Sequence, residues 1–349
     1  MQSVRVGVNG YGVIGKRVAD AVRRQPDMVL VGVADVAADY RTRTAGTLGI
    51  DLYAAGTEAM ATMKAADLSV AGTLDDLLGQ VDVIVDCTPK RFGAENRARY
   101  AEAAVKAVFQ GGEAHELTGH SFVAQANYAS ALGRDSTRVV SCNTTSIVRT
   151  LGALDRAGLL ERARGTLVRR ASDPWEGHLE GIMNTVIPEP VIPSHQGPDA
   201  RTVMPDLDVV TIAVKAAHNL SHLHTWCVEL TRAAPREVLD AFRAAPRIAF
   251  VRMADGLAAL NSTATLMQDL GRPRGDLWEV ALWEDGLAVH GNEAFYTYQV
   301  FNQAIVIPET IDAIRALAGS EQDAQRSIAL TDGSLGLVGD FFGGVGQPR

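Results

Sequence analysis

Along the first part of the chain, short apolar runs of strand character alternate with segments whose apolar positions recur every three to four residues, the pattern of parallel strands joined by helices. Val4-Arg5-Val6-Gly7-Val8 is the first run, and Val13, Ile14, Val18 and Val22 share one face of the helix that follows. Val29-Leu30-Val31-Gly32-Val33-Ala34 predicts a second strand, closed by Asp35. Val81 to Asp86 predicts another, ending in Cys87-Thr88-Pro89; a helical stretch, Phe92 to Lys106, precedes the short strand Ala107 to Gln110, and Val139-Val140-Ser141-Cys142 repeats the pattern. From about residue 165 the texture changes to longer extended runs, Gly165 to Ala171, Val209 to Val214 and Leu223 to Leu230, with Pro-rich connections such as Ile187 to Pro193. That change predicts a mixed or antiparallel sheet in a second domain. The fold class expected is therefore α/β, a doubly wound parallel sheet followed by an α+β domain. Its boundaries fall at 1–140 and 141–303, with a C-terminal segment, 304–349, whose amphipathic part Pro308 to Leu317 returns to the first domain.

Between the first strand and its helix stands Asn9-Gly10-Tyr11-Gly12-Val13-Ile14-Gly15. Gly10 suits the tight turn, Gly12 a close backbone approach to a pyrophosphate, and Gly15 close packing of helix on strand, as in Rossmann-type dinucleotide sites. Asp35 lies 20 residues beyond Gly15 at the end of the next strand. A carboxylate there accepts hydrogen bonds from the adenosine ribose hydroxyls and repels a 2′-phosphate, so NAD is expected over NADP.

The strongest chemical signal is Ser141-Cys142-Asn143-Thr144-Thr145, at a strand end and followed by a helical pattern with Ile147, Leu151 and Leu154 on one face. Thr144 or Thr145 fits an N-cap. A thiol so placed meets unpaired amides and the positive end of a helix dipole, which favour thiolate, making Cys142 the candidate nucleophile. Cys87 and Cys227 read as core residues of strands. In Ala217-His218-Asn219-Leu220-Ser221-His222-Leu223-His224, His222 and His224 share one face of an extended strand. A base for Cys142, two metal ligands, or structural histidines all fit that pattern; His-x-His supplies only two ligands, so metal is the weakest reading.

The chain has 349 residues, 47% of them hydrophobic, which suffices for two packed domains. Three cysteines cannot all pair and suit a reducing compartment; with no signal peptide or membrane-length apolar stretch, the expectation is a cytoplasmic protein. A net charge of −8 without a basic block argues against nucleic acid and anionic membrane as partners.

Asn9 to Gly15, Cys87-Thr88-Pro89, Phe109 to Glu113, Phe122 to Tyr128, Arg138 to Thr145, Arg169-Arg170-Ala171-Ser172-Asp173-Pro174 and Pro193 to Asp199, in this order, resemble the archaeal-type (type II) phosphorylating glyceraldehyde-3-phosphate dehydrogenases, nearly end to end. The resemblance implies Cys142 as nucleophile and His222, the first histidine of His-x-His, as base, in a homotetramer acting on an aldehyde and inorganic phosphate. It implies cofactor contacts at Val13, Ile14, Gly112, Arg170 and Gln303, and substrate contacts at Ser141, Asn143, Gln196 and Gly197. Arg169 is a further anion candidate, with a salt bridge as the plain alternative. Four departures stand out: Asp35-Val36 replaces a basic strand end, Gln196 replaces the second histidine of a His-His-Gly turn, Ala217 to Leu220 replaces Pro-Thr-Thr-Leu, and Glu180-Gly181-Ile182 replaces Lys-Gly-Pro. Changes in the acyl and phosphate region keep open a related semialdehyde dehydrogenase working on another anionic aldehyde or reducing an acyl phosphate, and a non-catalytic NAD-binding regulator.

Overall fold

A computed structural model describes residues 3–110, 112–171 and 185–342. The chain divides into two compact units, Met1–Ser141 with Val306–Gly336, and Cys142–Ile305 with Leu337–Arg349.

Eight strands build the first unit: β1 (Val4–Asn9), β2 (Met28–Asp35), β3 (Leu52–Ala54), β4 (Gly72–Thr73), β5 (Val83–Asp86), β6 (Lys106–Phe109), β7 (Ser121–Phe122) and β8 (Ser136–Val139). Their order is β4-β3-β2-β1-β5-β6-β8-β7, and every pairing is parallel. Chain order reverses between β1 and β5, the switch point past whose carboxyl ends such sheets bind ligands. β1 and β5 read as near-continuous apolar runs because helices cover both faces. The helix Val13–Arg23 buries Val18 and Val22 completely.

The returning helix, Val306–Ala318, is buried on nearly every side, more than an amphipathic surface helix would be. Its polar residues explain the docking: Thr310 Oγ1 meets Gln110 Nε2 at 2.6 Å, and Glu309 accepts the Ala124 N–H at 2.7 Å. Arg315, fully buried, donates to both Asp27 oxygens at 2.7 and 2.8 Å and to Gln25 at 2.7 Å. These fixed polar partners set a register that apolar contact alone would leave loose.

In the second unit, β9 (Leu160–Arg170), β10 (Val186–Pro188), β11 (Val209–Ala216), β12 (His222–Leu230), β13 (Ile248–Val251), β14 (Val280–Trp283), β15 (Ala288–His290) and β16 (Glu293–Val300) form a mixed sheet. The order is β10-β11-β9-β12-β16-β14-β13, with β15 added on β16; β9 with β11 and β13 with β14 are parallel, the rest antiparallel. The helix Cys142–Arg156 packs on β9 and β16. Its fully buried Arg149 donates to the Trp278 and Ile305 carbonyls at 2.8 and 2.9 Å.

One boundary differs from the sequence reading, which sent all of 304–349 to the first domain. From Leu337 the chain groups with the second unit, because Gly339 O accepts the Phe250 N–H at 2.9 Å and Asp340 pairs with Arg252 at 2.8 Å. Among the described residues, no helix is long and apolar enough to cross a membrane.

Candidate functional site

In the first unit two glycines of the turn are required by its geometry. Gly10 has φ +94°, and a Cβ on it would lie 2.8 Å from the Cys87 carbonyl. A Cβ on Gly15 would lie 1.9 Å from Gly10 O, so only glycine closes this turn. Gly12, by contrast, faces open space and caps the helix Val13–Arg23 without any side-chain hydrogen bond. The first-turn amides at Val13 and Ile14 thus stand as an anion cradle, which fits a dinucleotide pyrophosphate. Asp35 fits the ribose: its Oδ2 accepts the Tyr11 N–H at 2.7 Å and its Oδ1 the Ala37 N–H at 2.8 Å, holding a half-buried carboxylate at the edge of the glycine turn. Beneath the turn, buried Asp86 gathers the Thr88 N–H and hydroxyl, Asn96 and Tyr100 at 2.6 to 2.9 Å, fixing the Thr88 loop against which Gly10 packs. Gly112, φ +75° and exposed, follows β6; its neighbour Gly111 lies outside the described residues.

The chemistry-bearing residues gather in the second unit. Cys142 opens the helix Cys142–Arg156, so Thr144 and Thr145 are not caps but lie within its first turns; Thr144 Oγ1 donates instead to Asp199 Oδ2 at 2.6 Å. Burial pushes the Cys142 thiol up to about 11, against the opposing pull of Arg170, the Asn143 N–H and Arg169. The expectation that the helix start alone would favour thiolate is therefore corrected: desolvation of the sulfur outweighs the local positive potential.

His222 and His224 share the buried face of β12, as their spacing requires. Their roles then separate. His222 Nδ1 accepts the Arg170 N–H at 3.1 Å, which leaves the proton of the neutral ring on Nε2. Burial, then His224, Arg170, Arg169 and His218, hold His222 well below the ordinary histidine range. Arg169 and Arg170 act electrostatically on both Cys142 and His222, so the four lie near one another. His224 is committed elsewhere: Nε2 lies 2.9 Å from Asn143 Oδ1 and Nδ1 2.9 Å from the Tyr298 hydroxyl.

Arg169 also pairs with Glu189, each side chain about one-fifth exposed, and Glu189 lies 3.8 Å from His195. This is more enclosed than a plain surface salt bridge. Gln196 is fully buried with neither amide atom hydrogen-bonded, while Gly197 donates its N–H to Thr211 Oγ1 at 3.0 Å. Ser141 directly precedes Cys142, and Gln303 lies in the turn before Val306. Ser172-Asp173-Pro174 and Glu180-Gly181-Ile182 lie outside the described residues.

One residue escaped the sequence reading, and the role of a second was left open. Glu189 carries no spacing signal, since its partner stands across strands. His224 did carry one, the alternation that puts it beside His222, but only its neighbours reveal what it holds. Cys227 is corrected as well: it sits on the outer face of β12, its Sγ 3.7 Å from Glu293, not in the core.

The buried histidines give stability a defined pH dependence. Burial lowers His120, between Thr137 and Ser130, to about 4 and His224 to about 3, and lowers His222 further than the unfolded value of 6.5 allows for protonation near neutrality. Below pH 6.5 the unfolded chain binds protons that the folded chain refuses, so stability is full above that pH and falls on acidification. Each histidine adds a limiting slope of about 1.4 kcal/mol per pH unit. Denaturant midpoints should drop clearly between pH 7.5 and 5; an unchanged midpoint would contradict this.

A dinucleotide turn and a thiol set among arginines and a neutral histidine are the equipment of a dehydrogenase, and the protein is one. Residues 141–272 match the glyceraldehyde 3-phosphate dehydrogenase C-terminal domain, and residues 4–117 match the N-terminus of dihydrodipicolinate reductase. The chain is 44% identical to glyceraldehyde-3-phosphate dehydrogenase of Methanobrevibacter smithii, covering 95% of this chain and 99% of that one, and 44% identical to that of Hyperthermus butylicus, covering 97% and 98%. It belongs to the glyceraldehyde-3-phosphate dehydrogenase family. Aspartate semialdehyde dehydrogenase II from Vibrio cholerae shares the fold, with TM-score 0.66 at 12% identity over 93% of this chain and 100% of that one.

Proposed function

We propose that the protein oxidises D-glyceraldehyde 3-phosphate with inorganic phosphate to 1,3-bisphosphoglycerate, using NAD in preference to NADP. The observation that carries this reading is Cys142 at a helix start, near Arg169, Arg170 and His222, in a chain 44% identical to named relatives over nearly its full length. NAD, when bound, supplies the acceptor for the aldehyde hydrogen and its electron pair; Gly10, Gly12, Val13, Ile14, Gly15 and Asp35, with Gly112, Arg170 and Gln303, are the residues proposed to hold it.

Cys142 loses its proton to solvent, favoured by Arg170 and the Asn143 N–H, and the thiolate adds to the aldehyde carbon. His222, neutral with its proton on Nε2, donates to the carbonyl oxygen as negative charge grows there. Acting as a base requires the same ring to give up its Arg170 hydrogen bond. Oxidation leaves a thioester on Cys142. Phosphate oxygen then attacks the thioester carbon, the acyl phosphate leaves, and the Cys142 thiolate is restored. Arg169, Ser141, Asn143, Gln196 and Gly197 are the proposed substrate contacts; the unsatisfied amide of Gln196 suits a substrate hydroxyl.

We also propose a cytoplasmic homotetramer. Three free cysteines suit a reducing compartment, and the outer sheet face of the second unit carries a groove of about 350 Å³ lined by Val210, Ile212, Thr225 and Phe295 that a second copy could cover.

Asp35 governs cofactor choice in this reading. Of the two arginines that follow Asp35, Arg41 is clamped by Asp39 at 2.6 to 3.1 Å, and Arg43 donates to Ala66 O at 3.0 Å, so both are engaged away from a 2′-phosphate. NAD should exceed NADP in kcat/KM by at least about tenfold, an advantage of about 1.4 kcal/mol, and Asp35→Ala should narrow it. Assays of both cofactors against a panel of aldehydes, with and without phosphate, test the whole proposal. Turnover only with another aldehyde would move the substrate, and cofactor binding without any turnover would favour the regulator.

A further inference from the structure

The guanidinium of Arg169 acts electrostatically on Cys142, His222 and His224, so it lies near all three. Its other neighbour is Glu189. Arg169 stands on β9 and Glu189 directly follows β10, so the Nη1 that donates to the Glu189 carboxylate reaches across the intervening strand β11. The backbone of Glu189 is tied down as well, its N–H donating to Ala213 O of β11 at 2.9 Å. Arg169 is thus held at its stem by β9, where it pairs with Lys215, and at its tip by a carboxylate anchored to the same sheet. A guanidinium is a planar fork, so engaging Nη1 leaves the edge that carries Nε for another ligand. The Nε–H is buried and, among the described residues, has no acceptor. A buried charged donor without an acceptor is costly, and a ligand oxygen would relieve it.

We propose that Glu189 is a positioning residue: it holds the guanidinium of Arg169 beside Cys142 with the Nε edge open to a phosphate dianion. This deepens the proposed reaction and rests on it, since two phosphate groups come near Cys142 there, that of the aldehyde and the inorganic phosphate that attacks the thioester. Both offer Arg169 the same chemistry. A carboxylate that merely neutralised Arg169 would act in the opposite sense, weakening its pull on any incoming anion.

Alkylation of Cys142 in the full chain reads this arrangement without turnover. Iodoacetate carries a carboxylate that iodoacetamide lacks, so the ratio of their rates reports an anion contact beside the thiol, and a change in thiol ionisation cancels. Arg169→Gln should lower the iodoacetate-to-iodoacetamide ratio by about tenfold, the scale of one hydrogen bond to a charged group. Glu189→Ala should lower it too, and so should Glu189→Asp, which keeps the charge but withdraws it by one methylene. Combined with Arg169→Gln, neither should lower it further, because the group through which each acts is already gone. A ratio that rises in Glu189→Ala, or stays at the parent value in Glu189→Asp, would overturn the positioning role, since charge alone would then account for Glu189. Should Glu189→Ala fold poorly, Glu189→Asp decides. Steady-state assays of Arg169→Gln identify the source of the phosphate. A rise of about tenfold in KM for inorganic phosphate, with kcat little changed, assigns the site to the attacking phosphate. A rise for D-glyceraldehyde 3-phosphate but not for D-glyceraldehyde assigns it to the phosphate of the aldehyde. If neither KM moves, Nε meets only water and the proposal fails. A parent without turnover would count against the proposed reaction, and the alkylation ratios would still judge Glu189.

Discussion

Replacing Cys142 with serine should abolish aldehyde oxidation while leaving NAD binding nearly intact. A hydroxyl at this position is far less ionised than a thiol, and the same burial that raises Cys142 to about 11 would raise a serine beyond any useful range. The loss should exceed a hundredfold, the scale on which a catalytic group is missed. Isothermal titration with NAD, beside the rate assay, separates chemistry from binding: the glycine turn and Asp35 belong to the first unit, Cys142 to the second. A serine variant retaining more than about a hundredth of the parent rate would exclude covalent catalysis through this residue. The thiol itself should show its buried character. In the free protein, iodoacetamide labelling of Cys142 should climb steadily with pH toward about 11, and a plateau by pH 8 would mean that Arg170 and the helix amides outweigh desolvation.

His222→Asn should lower kcat by two to four orders of magnitude, whether the ring acts as donor to the oxygen or as proton acceptor. Loss at His222 should exceed loss at His224, because His222, like Cys142, feels both Arg170 and Arg169, whereas His224 is engaged by Asn143 and Tyr298. The opposite ranking would mean that the roles along β12 are exchanged. The pH profile carries a second signature. Since His222 stays neutral far below 6.5, activity should show no histidine-like loss on lowering the pH from 7.5 to 6 apart from that of thiol ionisation.

Much of this was legible because local chemistry dictated it. Gly10 and Gly15 are forced by a positive φ and by a 1.9 Å approach, constraints that any chain making this turn obeys, so spacing alone located them. The β12 alternation likewise put His222 and His224 on one face before any coordinates. What sequence could not supply was the balance of opposed long-range effects. The start of a helix argued for thiolate at Cys142, but burial, which no local pattern reports, reversed the sign. Which nitrogen of His222 carries the proton depends on the Arg170 N–H, 52 residues distant in sequence. The last residues were misassigned for the same reason: Gly339 and Asp340 find Phe250 and Arg252 only in three dimensions.

The account turns on a thioester at Cys142, and that species can be caught. Protein mixed with NAD and D-glyceraldehyde 3-phosphate in the absence of inorganic phosphate should give a rapid burst of reduced cofactor, about one per active site, followed by slow turnover. Acid quenching and peptide mass analysis should find the added acyl group on Cys142, and adding phosphate should discharge it. No burst, or an acyl group on a residue other than Cys142, would contradict the account.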